Sequence, residues 1–258
     1  MDLKRGMLLN PSNLPEWHNF PVADKLSQAL AKPVSFINDA NAAAFGEFWV
    51  GVGKSYQSLA LLTLGTGVGG GLISEGMLIN GVNSFGSEVG HVVVDCSPQA
   101  RLCVWGGGRG QLEAYASASA VAAQANKAIR DVRPTKMSRV VRERDGLLTA
   151  KDVYEAAVQG DDVALEIIDE TAFYLGVGVT NVIHMIDPGL VVLGGAMNFG
   201  GAKCPVGRRF LQRVIDEFQA RTFPNVFAGT RIDFASLGGD AGYIGAAGIA
   251  RQDFQAGK

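Results

Sequence analysis

Cysteine is scarce: Cys96, Cys103 and Cys204 are the only three in 258 residues. So few, and an odd number, cannot build a disulfide framework, and a reducing compartment is the simpler setting. Long apolar runs are missing too. No stretch reaches the roughly 18 residues that a membrane span needs. The opening MDLKRGMLLNPSNLPEW turns polar before a secretory core could form. Charge of one sign is not in excess either. Lys and Arg number 23 against 25 Asp and Glu, a net charge of -2, which offers no nucleic-acid footprint. There is no fixed-period repeat and no G-X-Y pattern. These absences point to a soluble, cytoplasmic protein with neither nucleic acid nor membrane as partner.

What is plentiful is glycine, 34 of the 258 residues, nearly twice the usual roughly 7%. At 47% hydrophobic residues the chain can bury a sizeable core. At roughly 150 residues per domain, its length fits one large domain or two small ones.

Strands alternate with helices along the chain, the mark of an α/β architecture. Residues 1–22 read as loop. Helical period predicts a helix over 22–31, ended by Pro33. VSFI (34–37) reads as a strand, and Asn38-Asp39 caps the helix ANAAAFGEFWVG that follows. SLALLTL (58–64) is a buried strand. After a glycine turn, GLIS and MLIN form a hairpin around Glu75-Gly76. One helix is expected over 111–130 and a charged surface loop over 131–148. Thr149 with Asp152 opens a helix over 150–159 as a capping box. Further helices are expected at 162–186, 206–221 and 241–251, with strands at 190–193 and 231–234.

Two glycine motifs mislead. Gly65-x-Gly67-x-x-Gly70 matches the dinucleotide fingerprint in letter, but that fingerprint needs a helix next and a hairpin follows here. Gly53-Lys54-Ser55 resembles the end of a Walker A loop, yet Phe48 stands where its first glycine should be. The turn LGTGVGGG (64–71) is the better candidate. Its glycines let backbone N–H groups converge on a phosphate, and Thr66 adds a hydroxyl. Asp39, at a strand end and a helix start, can take the proton of a substrate hydroxyl during phosphoryl transfer, the helix N-terminus favouring negative charge there. Singly, Asn38-Asp39 reads more readily as a helix cap and His91 as a structural histidine, and Glu113 can be only a first-turn acid. Glu88-Val89-Gly90-His91 adds a carboxylate and an imidazole three residues apart.

In this order the segments resemble the ROK family (repressors, open reading frames and kinases), sugar kinases of the actin/hexokinase/Hsp70 fold. NLPEW, NDANAAAFGE, LLTLGTGVGGGLI, the stretch from SEVGH to LEAYASA, DPGLVVLGGA and LGGDAGYIGAAGIA carry the likeness over nearly the whole chain. The resemblance implies a two-lobed, ribonuclease H-like α/β fold, with 39–238 as the large lobe and 1–38 plus 239–258 as part of the small one. It implies Asp39 as catalytic base. Asn38, Glu88, His91 and Glu113 become the sugar contacts, Gly65, Thr66 and Gly67 the second phosphate loop, and Gly194 and Gly195 the glycines beside adenosine. The implied reaction is phosphorylation of a hexose, glucose at its 6-hydroxyl, by ATP with Mg²⁺. A homodimer is a further implication. The family also holds sugar-responsive transcriptional regulators, which carry a helix-turn-helix segment not seen here; a non-catalytic sugar-binding protein is the other alternative.

Two departures stand out. The family's zinc loop, CxCGxxGC, reads here from Cys103 to Gln111, with Trp105 and Gln111 in place of cysteines. His91 and Cys103 remain and Cys96 could add a third ligand, but structural zinc takes four, so no zinc is expected. Arg109 and the glycines are expected to hold this loop instead. The chain also begins late against the family pattern, without a DxGGT-like first phosphate loop. It is read as N-terminally shortened, with little kinase activity expected as written.

Overall fold

The computed structural model describes residues 1–257 except 12, 13, 15, 104–107 and 145. Asn13 and Pro15 of NLPEW, and Trp105 with Gly106 and Gly107 of the glycine-rich loop, therefore lie outside the described residues.

The centre is one five-stranded sheet: β1 (Leu59–Leu64), β2 (Val68–Ser74), β3 (Met77–Leu78), β4 (Leu190–Gly194) and β5 (Arg231–Phe234), in the order β3-β2-β1-β4-β5. β3, β2 and β1 run antiparallel, and β1, β4 and β5 run parallel, with Leu59 opposite Leu190 and Thr63 opposite Gly194. β1 and β4 are buried almost throughout, as strands covered on both faces must be. Alternate residues part to opposite faces. Leu59, Leu61, Leu190 and Val192 meet one apolar cluster; Ala60, Leu62, Leu64, Val191 and Leu193 meet the other.

The thinner face is covered by α2 (Asp39–Trp49) and α10 (Ala241–Gln255), which cross almost backbone to backbone. A Cβ on Gly245 would stand 1.7 Å from the carbonyl oxygen of Ala42, and one on Gly46 2.4 Å from that of Ala241. The other face carries a thick helical layer: α4 (Ala118–Arg130), α6 (Ala150–Val158), α7 (Asp162–Ile186) and α8 (Pro205–Arg221). Its buried residues include Leu175, Val179, Phe210, Val214 and Phe218. α1 (Val22–Leu30) buries none of its residues.

Several expectations need correction. Residues 34–37 form no strand, because nothing among the described residues pairs with them. The helix expected over 111–130 is broken into α3 (Glu113–Ala116) and α4, since Ser117 adopts an extended conformation and its hydroxyl caps α4 at Ala120 N–H. The loop expected over 131–148 contains α5 (Met137–Arg144), whose Met137 is fully buried while Val140 and Val141 pack on the core. That i, i+3, i+4 stripe lies under an arginine-rich surface. A short α9 (Pro224–Gly229) went unpredicted. The capping box of Thr149 and Asp152 forms as expected.

Candidate functional site

The carboxyl ends of β1, β4 and β5 open on one side of the sheet, where ligands of α/β folds gather. β1 leads into the turn Gly65–Gly67 and β4 into Gly195, while the N-terminus of α2 stands beside them. Asn38 caps that helix: its Oδ1 accepts from Ala40 N–H (2.9 Å) and Asn41 N–H (3.2 Å), which leaves its amide hydrogens to donate elsewhere. Asp39 Oδ1 also accepts from Ala40 N–H, at 2.9 Å.

Two cavities meet here. The first, about 340 Å³, is lined by Asn38, Asp39, Glu88, His91 and Glu113 together with Gly65, Gly67 and Gly195. The second, about 200 Å³, is walled by Gly194, Gly195, Gly238, Gly239 and Gly242. Asp39, Ala40, Thr63 and Gly195 line both. Of the residues singled out from sequence, all but Thr66 border one of these spaces. Thr66 is exposed, and its carbonyl accepts from Ser119 Oγ at 2.8 Å.

The glycine turn is shorter than its sequence suggests. Gly69, Gly70 and Gly71 pair with β1 inside β2, where only hydrogen-sized side chains fit against α2 and residues 87–89. The turn itself is braced from beneath. Ala118 N–H donates to Gly65 O at 2.8 Å, and Val68 N–H to Glu113 Oε2 at 2.9 Å. A Cβ on Gly67 would meet that carboxylate oxygen at 2.2 Å. Glu113 is buried and also accepts from Cys103 Sγ at 3.1 Å, so it anchors the turn as well as lining the cavity. Across the first cavity, Ser87 sits at φ +73°, a conformation its side chain must be held in. Its hydroxyl does this, donating to Ile79 O (2.8 Å) and accepting from Leu72 N–H (3.1 Å). This fixes Glu88 and His91 against the sheet.

Sequence reasoning missed four contributors. Thr63 reads as an ordinary strand former. Asn41 is buried, donates to Asn80 Oδ1 at 3.3 Å, and has an Oδ1 with no partner among the described residues. Ser84 lines the first cavity from the loop after β3. Glu47, fully buried on α2, accepts from Ser236 N–H (2.8 Å), Leu237 N–H (2.7 Å), Ser236 Oγ (2.8 Å) and Val52 N–H (3.1 Å). A buried carboxylate without a cation is tolerable only when so satisfied. It ties the helix bearing Asp39 to the segment that walls the second cavity. No local signal in FGEFW marks it.

His91 and Cys103, the two residues of the zinc pattern that remain, are turned to other side chains. Among the described residues no group of three or more His, Cys, Asp or Glu is placed to hold an ion. His91 Nδ1 meets Gln111 Oε1 at 3.1 Å, and the Cys103 thiol is turned to Glu113. The neighbouring loop is held by Tyr115, whose hydroxyl donates to Asp95 (2.5 Å) and accepts from Arg101 N–H (2.8 Å). Burial and the Asp95 bond push that phenol up to about 12. Arg109 adds a bond to Ala100 O at 3.0 Å. A larger cavity of about 560 Å³ between α4 and α7 holds charges engaged with each other, Arg101–Glu170 and Arg133–Glu166, both at 2.6 Å. No helix among the described residues is long and apolar enough to cross a membrane.

Comparison with known proteins bears on this site. A glucokinase of Halalkalibacterium halodurans is 34% identical over 98% of this chain and 73% of its own length. One from Thermotoga maritima is 36% identical over 98% of this chain and 76% of its own. The crystal structure of a ROK family glucokinase from Streptomyces griseus in complex with glucose and AMPPNP aligns with a TM-score of 0.79 and 32% identity, covering 98% of this chain and 78% of that one. The architecture is that of the actin-like ATPases. With a sequence model of the ROK family matching residues 2–253, the chain belongs to the ROK family.

Proposed function

We propose that this protein transfers the γ-phosphoryl group of MgATP to the 6-hydroxyl of glucose. The observation that carries the reading is the position of Asp39, one carboxylate shared by a polar cavity and a glycine-walled one. A hexose in the first cavity meets the acceptors Glu88 and Glu113, the imidazole of His91 and the amide of Asn38. Such a set discriminates by hydroxyl pattern, because a missing hydroxyl leaves polar groups unpaired. Asp39 accepts the proton of the attacking hydroxyl as the new O–P bond forms. The Gly65–Gly67 turn and Gly195 admit phosphates to close backbone approach, and Gly238 and Gly239 leave room for the nucleoside. Mg²⁺ arriving with ATP supplies charge neutralisation to the phosphates.

Retention of Asp39 favours a kinase over a sugar-responsive regulator, since sensing alone needs no base. Glucose as the sugar is supported by the glucokinases among its relatives. A coupled assay over a hexose panel tests the reading. Asp39→Asn should lower kcat by about 10²–10⁴-fold while glucose affinity, measured by calorimetry, stays within a few-fold. Equal turnover by Asp39→Asn refutes the role of the base. Glucose binding without turnover in the unaltered protein would instead indicate the non-catalytic alternative.

A further inference from the structure

We propose that Gln111 fixes the tautomer of His91, so that the imidazole offers the sugar a lone pair at Nε2 rather than a proton. The proposal rests on the sugar-binding reading of the first cavity and names what selects the ligand there. His91 borders that cavity, and its Nδ1 lies 3.1 Å from Gln111 Oε1. A carboxamide oxygen only accepts, so Nδ1 carries the proton, and in a neutral ring Nε2 is then the acceptor.

Both partners are held by backbone. His91 N–H donates to Glu88 O at 3.1 Å in a short turn. Gln111 pairs with Val93, and Leu112 N–H donates to Val92 O at 2.9 Å. The Gln111 carboxamide lies over Gly108, where a Cβ would approach its atoms to 2.4–2.8 Å, so its seat against His91 needs a glycine at that position.

The consequence is a cavity wall of acceptors. Asp39, Glu88, Glu113 and Nε2 of His91 all ask the ligand for hydrogen-bond donors. A metal on Nδ1 would do the opposite, taking that lone pair and leaving the proton on Nε2. Gln111 therefore reverses the polarity of the histidine toward the ligand. The chemical class selected is a polyol ring presenting a free O–H at this position; fluorine, which accepts but cannot donate, fails there.

The test uses the full chain with ¹⁵N-labelled histidine at pH 8.5, chosen to observe the neutral ring. The protein has three histidines, and His91→Asn assigns the relevant signals. Long-range ¹H–¹⁵N correlation should show the Nδ1–H form at His91. Gln111→Leu should lose it and weaken glucose binding about tenfold, while Gln111→Glu, still an acceptor, keeps the tautomer and stays within about threefold. Among monodeoxyfluoro glucoses, one should bind the unaltered protein about tenfold more weakly than glucose and lose that penalty in Gln111→Leu. An Nε2–H form in the unaltered protein, an unchanged tautomer in Gln111→Leu, or equal losses in Gln111→Leu and Gln111→Glu would overturn the proposal. So would a stoichiometric zinc ion that shifts the His91 signals. If no hexose binds at all, the sugar reading fails, and the tautomer measurement still decides the part played by Gln111.

Discussion

The two faces of the sheet solve different problems. On the face of α4, α6, α7 and α8, stability comes from volume: large side chains such as Phe210, Phe218 and Leu175 fill the space fully buried. On the face of α2 and α10, glycine and alanine bring backbones together, and little side-chain volume separates them. The first arrangement tolerates small shifts because side chains repack. The second can shift only by moving whole helices, because the contacts are peptide groups. Asp39 starts the helix on the unyielding face, where its position relative to the glycine turn is fixed most tightly.

This contrast can be broken by experiment. The largest stability loss belongs to the thick face: Phe210→Ala should cost about 3–5 kcal/mol in denaturant unfolding. Glucose affinity of the folded fraction should be unchanged. Gly245→Ala should cost less, about 1–3 kcal/mol, yet weaken glucose binding by several-fold, because Ala42 must move and α2 with it. Equal effects of the two substitutions on affinity would erase the distinction between the faces.

The periphery sharpens it. Burial pushes the Asp152 carboxyl up, but hydrogen bonds from Arg144 and Thr149 outweigh it and hold the carboxyl below its ordinary 3.8. A depressed carboxyl adds stability above its unfolded value, and this is lost as pH falls through the folded one. Asp152→Asn should therefore cost about 1–2 kcal/mol at pH 7, the Arg144 share being modest because that side chain is half exposed. It should also flatten the acid limb of the stability profile measured between pH 5 and pH 2. Smallest of all, Arg139→Ala should change stability by less than about 0.5 kcal/mol, since the Arg139–Glu143 pair is exposed on both sides.

Much of the site was legible because its chemistry coincides with chain punctuation. Asn38-Asp39 is both a helix start and the proposed base with its neighbour, and Gly65–Gly67 is both a turn and the proposed phosphate loop. Thr63, Asn41 and Glu47 were not legible. Each sits inside a regular element, where its residue type already has an ordinary explanation, and only the crossing of elements gives it a second one. The same holds for the fold. The continuous apolar runs SLALLTL and LVVL announced β1 and β4 as strands, the first of them buried. The break at Ser117 was hidden in an alanine-rich run whose propensity is helical throughout. VSFI has strand composition, but a strand exists only with a neighbour. α5 was masked by its arginines, although Met137, Val140 and Val141 keep helical spacing.

The bonds of Glu47 carry a consequence for how the molecule is made. Its donors in Ser236 and Leu237 lie 189 and 190 residues further along the chain, and the α10 backbone that fills the notch at Gly46 comes later still. Synthesis runs from the amino terminus, so α2 emerges well before these partners and waits with a bare carboxylate and an open groove until residue 236 and those after it leave the ribosome. Closing so long a loop is slow, but lengthening it further costs little. The corner that bears Asp39 is thus completed only after the helices of the thick face have been made. A nascent chain that stalled between residues 222 and 236 would hold all the helices of the thick face, yet would lack the segment that seals the corner.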